Sequence, residues 1–189
     1  HIVPAPTPEI LHRLTSRITT PGTWLKLCAP AEAVVPHLPA AWRIQEPEFM
    51  MIATRLPRTA PPAAPAGYTA AVTTRAGVTV ARVLTNAGEI AARGQIAPAG
   101  RTAVVDQVET AARHRRRGLG TVIMRTLTSA AASAGARQGI LVATAEGRAL
   151  YETLGWTLHT PMTAVVLTTP RPGPPPGHGL SRPRPARGP

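Results

Sequence analysis

The chain has 189 residues, with 21 lysines and arginines against nine acidic residues and a formal net charge of +12. That length suits one domain with a sizeable core, and no apolar run approaches the roughly 20 residues needed to span a bilayer. Such a charge ordinarily points to nucleic acid, but the positives are scattered and all but Lys26 are arginine. Trp24, Trp42 and Trp156 also lie too far apart to form a stacking platform for bases, so nucleic acid is not the expected partner. Cys28 is the single cysteine, which forbids an internal disulfide. It reads as a small apolar residue beside Leu25 and Leu27, and with no basic-then-apolar signal pattern at the start the expected location is a reducing cytoplasm.

In chain order, residues 9–18 predict a helix with apolar positions at Ile10, Leu11, Leu14 and Ile18. Residues 24–28 predict a short strand, and residues 31–38 a second short helix limited by Pro36. Residues 42–51 supply aromatic and methionine side chains to the core, and four prolines from Pro57 through Pro65 mark a loop. Turn signals then recur at Arg75-Ala-Gly77, Asn86-Ala-Gly88 and Pro98-Ala-Gly100. They separate valine-, threonine- and isoleucine-rich segments at 68–74, 78–85, 89–97 and 102–109, a predicted antiparallel meander, because such short connections cannot make parallel crossovers.

The character changes after Val108, where a short apolar strand, an arginine-glycine turn and a helix start follow in immediate succession. Leu119, Ile123, Leu127, Ala130 and Ala134 recur at helical spacing, and Gly135 with Gly139 ends that helix. Residues 140–143 read as a buried strand and 146–154 as a helix closed by Gly155, with Trp156 next. The fourth meander strand, the helix and the strand at 140–143 form a βαβ unit, so that strand pair should run parallel and the sheet should be mixed. Residues 170–189, rich in proline, glycine and arginine, are expected to be a disordered tail.

The turn is a cradle for phosphate. Backbone N–H groups at a helix N-terminus lack partners and sit at the positive end of the helix dipole. Gly118 and Gly120 are expected to let a ligand approach the backbone, and Arg115, Arg116 and Arg117 surround it with positive charge. A P-loop would need a lysine here, yet the only lysine is Lys26; a dinucleotide fingerprint would need a third glycine where Ile123 stands.

Arg115-x-x-Gly118-x-Gly120 resembles the R-x-x-G-x-G signature of the GNAT acyltransferase superfamily, which binds the pyrophosphate of coenzyme A. The run Ala149-Leu-Tyr-Glu-Thr-Leu-Gly-Trp156 is similar to the A-x-x-L-Y-x-x-L-G-F/W block of the same family, at the family's separation. The resemblance implies an α/β GNAT fold over residues 1–169: a mostly antiparallel mixed sheet, a splayed parallel pair at the acyl-CoA slot, and flanking helices. Within it, residues 67–169 would be the acyl-CoA-binding core. Residues 1–66, where the resemblance is weakest, would supply helices that wall the acceptor pocket.

It also implies acetyl-CoA, or another acyl-CoA, as donor and a small-molecule or peptide amine as acceptor. An acyl carrier protein is an alternative source of donor, and a non-catalytic module that binds coenzyme A or a partner is an alternative role. Backbone amides of Glu109, Thr110 and Ala111 would hold the acyl carbonyl, while residues 115–121, including Leu119 and Thr121, would hold the diphosphate. Tyr151 matches the tyrosine that protonates the departing thiolate, and Thr144 stands where many members have a pantetheine-binding asparagine. Glu109 is the expected general base; Asp106, three residues earlier, should face the opposite side of the sheet unless a bulge intervenes. His114 sits inside the cradle, where phosphate contact is expected rather than base catalysis. No ligand spacing for a metal is present, no membrane association is expected, and a monomer or homodimer is.

Overall fold

The computed structural model describes residues 1–169; the tail expected at residues 170–189 lies outside the described residues. Among the described residues ten strands form one sheet: β1 (Ile2–Val3), β2 (Trp24–Leu27), β10 (Thr157–Leu167), β4 (Glu48–Ala53), β9 (Gln138–Thr144), β8 (Thr102–Thr110), β7 (Ile90–Ala99), β6 (Val78–Thr85) and β5 (Tyr68–Arg75) in that order, with β3 (Trp42–Ile44) beside β10. The meander is β5 (Tyr68–Arg75), β6 (Val78–Thr85), β7 (Ile90–Ala99) and β8 (Thr102–Thr110), paired antiparallel throughout. Its turns lie where the glycines predicted them: Gly77, Gly88 and Gly100 all adopt positive φ. Helix α3 (Leu119–Ser133) then crosses to β9 (Gln138–Thr144), which runs parallel to β8. Helix α4 (Ala145–Thr153) leads to β10 (Thr157–Leu167), a strand that no sequence signal had marked.

The first third of the chain is more extended than its sequence suggested. Helix α1 (Pro8–Arg17) and β2 (Trp24–Leu27) stand where expected, and the second predicted helix is reduced to α2 (Ala31–Val34) plus a 3-10 turn at Val35–His37, because Pro36 lacks an N–H for a longer α-helix. The segment expected only as core material forms β3 (Trp42–Ile44) and β4 (Glu48–Ala53), and β4 inserts between β9 and β10. Strand β1 (Ile2–Val3) pairs parallel with β2.

Strand register assigns each side chain to a face. Ala81, Val83, Ala92, Ile96, Ala103, Val105, Leu141, Ala143 and Met51 are buried and share one core with Ile123 and Leu127 of α3. A second apolar cluster joins Leu11 of α1 and Val34 of α2 to Leu25, Leu27, Trp42 and Val165. Helices α1 and α2 therefore cover the β2-β10 end of the sheet. Among the described residues no helix is long and apolar enough to cross a membrane.

Helix α3 comes close to the sheet because β7 has Gly94 beneath it. A Cβ at this position would stand 2.8 Å from Ile123 Cγ2 and 3.1 Å from both Leu127 Cδ1 and Val108 Cγ2. Gly94→Val should therefore overpack the core and destabilise the protein by about 1–3 kcal/mol, read as a lower urea midpoint at unchanged m-value.

Candidate active site

Strands β8 and β9 pair at Thr102↔Gln138, Ala103↔Gly139 and Val104↔Ile140, and then part. Both continue, β8 to Thr110 and β9 to Thr144, with a gap between them. A cavity of about 170 Å³ fills the gap, lined by residues 105–108 of β8, residues 141–144 of β9, and Gly147 and Tyr151 of α4. Its lining comes from both faces of the sheet: Val105, Leu141 and Ala143 are buried on the helix side, whereas Asp106, Val142 and Thr144 are exposed on the other. The cavity thus passes through the sheet, and it is sized for a narrow arm rather than a whole drug-sized ligand.

A bulge shapes the β8 wall. Gln107 has φ 54, and the β7-β8 register shifts between Arg93 and Gln95. The extra residue changes which way the acids point: Glu109 pairs with Arg93 and Asp106 with Gln95, two apart on β7, so both carboxylates share the face away from the helices. Glu109 is bound to Arg93 Nε at 3.1 Å and lies outside the cavity lining. Asp106 lines the cavity and has no ion-pair partner among the described residues. The carboxylate at the slot is therefore Asp106, where the sequence had favoured Glu109.

The amides sort in the same way. Ala111 N–H donates to Ala91 O at 2.9 Å, so it is taken up by β7, and strand alternation turns the Glu109 N–H to β7 as well. Alternation leaves the N–H groups of Val108 and Thr110 facing the slot. The Thr110 carbonyl, on that same edge, accepts from Arg115 Nε at 3.3 Å. Val108 went unnoticed in the sequence, although the step from Ala103 and Val105 to Val108, three residues instead of two, is the mark a bulge leaves on strand periodicity.

Beyond the slot lies the cradle. Arg116 (φ 61) and Gly118 (φ 77) are both left-handed, and Gly118 caps α3 without a side chain. From Arg116 to Thr121 no backbone N–H has a partner among the described residues; the first helical bond is Val122 N–H to Gly118 O. Leu119 contributes only its amide, its side chain being buried in the core. A Cβ at Gly120 would stand 2.8 Å from the tip of the Leu150 side chain of α4, at Cδ2.

The arginines divide. Arg115 bridges Thr110 O and the Glu146 carboxylate, at 3.3 and 3.4 Å to its two oxygens. Arg117 donates to the Tyr68 hydroxyl at 3.0 Å, and that hydroxyl meets His114 Nδ1 at 2.9 Å. Arg116 has no hydrogen-bonded or ion-pair partner among the described residues. Desolvation, with Arg113 and Arg117 nearby, holds the His114 pKa below its ordinary value, so the imidazole is neutral and acts as a hydrogen-bonding strut for the cradle.

On the opposite wall Thr144 N-caps α4, its Oγ1 accepting from Gly147 N–H at 3.1 Å. Two turns on, Tyr151 is 7 % exposed, with its ring tilted against Trp156 at 6.4 Å between centroids. Burial pushes its phenol above the usual tyrosine pKa, so the hydroxyl stays protonated through neutral pH. Tyr151, Thr144 and the β8 bulge thus meet around one cavity, while Glu109 and Ala111 stand outside it. Among the described residues no three His, Cys, Asp or Glu side chains cluster as metal ligands would.

The sequence profile of the Acetyltransferase (GNAT) family matches residues 39–156, from β3 through the Trp156 that follows α4. No curated protein sequence matches the chain significantly. Among solved structures, a GCN5-related N-acetyltransferase from Kribbella flavida superposes with a TM-score of 0.60 at 19% identity, covering 88% of this chain and 74% of its own. A Novosphingobium aromaticivorans protein assigned to the GNAT family gives 0.60 at 24%, covering 88% and 83%. A tandem GNAT protein of the clavulanic acid biosynthesis pathway gives 0.56 at 13%, covering 76% and 63%. At these identities the likeness is one of fold. The family profile spans more than half the chain and takes in both the cradle and the Tyr151 helix, and the protein belongs to the GNAT acetyltransferase family.

Proposed function

We propose that the protein is an acyl-CoA-dependent N-acyltransferase, in the simplest case an N-acetyltransferase, that moves the acyl group directly to an amine. The observation that carries this reading is the cavity through the sheet, with the buried Tyr151 on its wall and free cradle amides beyond one end. Coenzyme A fits these residues: six consecutive N–H groups from Arg116 to Thr121, unpaired among the described residues, suit a diphosphate, and the narrow gap suits the pantetheine arm. When bound it supplies an activated acyl thioester. Thr144 and the β9 edge would line its arm, and the Arg116 guanidinium is free to reach phosphate.

The chain's own residues account for the rest. The N–H groups of Val108 and Thr110 face the slot and would donate to the acyl carbonyl oxygen as negative charge builds there. An amine of pKa near 10.4 is neutral in only about one molecule in two thousand at pH 7, so deprotonation needs help. Asp106, directly or through water, takes the proton from the attacking nitrogen. As the C–N bond forms and the C–S bond breaks, Tyr151 gives its hydroxyl proton to the departing sulfur, and both groups then exchange with solvent. Cys28 is remote from this site and carries no acyl group in the scheme.

Tyr151→Phe should lower kcat about a hundredfold or more with little change in the KM for acetyl-CoA, in a free-thiol release assay. Asp106→Asn should depress kcat most at low pH, where fewer amines are neutral, whereas Glu109→Gln should leave kcat within about twofold. Gly118→Val forces a branched residue into a left-handed φ of 77 and should weaken coenzyme A binding by calorimetry; unchanged affinity in the folded variant would mean the phosphates lie elsewhere.

A further inference from the structure

A second cavity, of about 30 Å³, shares no lining residue with the slot. Three segments distant in sequence enclose it: the end of β4 with Arg55 and Pro57 in the loop after it, Met124 and Arg125 in the middle of α3, and Leu154 and Trp156 just after α4. Its floor is apolar and buried, Met124 being 1 % and Trp156 4 % exposed. Gly139 of β9 sets the position of that floor. A Cβ there would stand 2.6 Å from Trp156 Cη2 and 3.0 Å from Leu56 Cδ2, so the bare strand lets the indole lie against it. Leu56 is held in turn by its own N–H, which donates to Arg137 O at 2.8 Å. The wall is therefore fixed by contacts within the protein.

The rim of this cavity is cationic. Arg55 and Arg125 are exposed, and among the described residues neither guanidinium has a hydrogen-bonded or ion-pair partner. Residues 54–67 and α3 contain no acid, and Glu152 of α4 is held by Arg148 at 2.7 Å. The Trp156 indole adds a third donor. Its N–H has no acceptor among the described residues, although a buried indole ordinarily finds one. It is not sealed from solvent either, because the side-chain polar atom buried without a partner among the described residues is Glu48 Oε2, and the opening that Trp156 lines is this cavity. Two guanidinium groups and an indole N–H select an anion with acceptor oxygens. The apolar floor favours a hydrocarbon group beside that anion, and its volume has room for about one or two carbon atoms. We propose that the cavity is a binding site for a short-chain monocarboxylate, its alkyl end on Trp156 and Met124 and its carboxylate between Arg55 and Arg125. The site stands apart from the acyl slot and does not depend on the acyltransferase reading. It lies one side chain away from that slot, since the Trp156 ring packs against Tyr151.

The test follows the indole N–H signals of Trp24, Trp42 and Trp156 in nitrogen-labelled full-length protein by NMR, after triple-resonance assignment. Sodium butyrate added at constant ionic strength should shift the Trp156 signal with a Kd of about 1–10 mM and leave the other two in place. Butyramide has the same shape without the charge, and chloride has the charge without the tail; neither should give a saturable shift. Arg55→Gln and Arg125→Gln, both at exposed positions, should each weaken butyrate about tenfold, whereas Arg75→Gln on the edge strand β5 should change nothing. Butyrate affinity should be the same with coenzyme A present, because the two cavities have no lining residue in common. The proposal fails if butyramide shifts the Trp156 signal as butyrate does, if all three indole signals move together, or if both arginine variants bind butyrate at full strength. Displacement of butyrate by coenzyme A would also overturn it, since the carboxylate would then lie in the slot.

Discussion

Strands β8 and β9 stop exchanging hydrogen bonds after Val104 and Ile140, although each runs on for several residues. Parting two paired strands inside a sheet leaves backbone N–H and C=O groups without partners, which costs free energy unless something takes them up. On β8 the bulge at Gln107 redirects the chain, Arg115 satisfies the Thr110 carbonyl, and the N–H groups of Val108 and Thr110 are left facing the gap. The structure tolerates this opening because both strands are held on their far sides, β8 by β7 and β9 by β4.

The cradle and the slot are one mechanical unit. Strand β8 ends at Thr110, a short 3-10 turn follows at Ala112–His114, and α3 begins at Leu119, so eight residues separate the free amides of the slot from those of the helix. The turn is tied at two points: Arg117, Tyr68 and His114 link it to the edge strand β5, and Arg115 links it to α4 through Glu146. Arg113 also pairs with Glu89 in the β6-β7 turn. The left-handed residues Arg116 and Gly118 set the direction of the intervening N–H groups, and this unusual backbone is kept because the surrounding contacts hold both of its ends.

Much of this was legible in the residues. The four meander strands follow from valine- and threonine-rich runs between glycine turns, and α3 and α4 from helical spacing with Gly118 before one and Gly155 after the other. The parallel β8-β9 pair follows from the handedness of a βαβ unit. The N-terminal third was less legible. Trp42, Phe49 and Met51 announce burial but say nothing of partners, and β4 finds its place between β9 and β10, almost a hundred residues away, only when the sheet assembles. Strand β10 was missed for the same reason, because its signal is long-range pairing rather than local turn chemistry.

The site divides along the same line. Gly118, Tyr151 and Thr144 could be placed from sequence because their positions are local: a left-handed turn, a side chain on a helix, a helix cap. The choice between Asp106 and Glu109, and between Val108 and Ala111, could not be made that way. Each depends on one bulge residue that reverses every alternation after it, and a bulge is settled by cross-strand register. Gly120 shows the limit most clearly, since its neighbour Leu150 lies thirty positions on and enters contact only when two helices pack. Short-range propensity and spacing were enough to determine the meander strands, α3, α4, the glycine turn ahead of α3 and the family signature. Pairing between distant segments decided which carboxylate and which amides face the slot, and where β4 and β10 join the sheet.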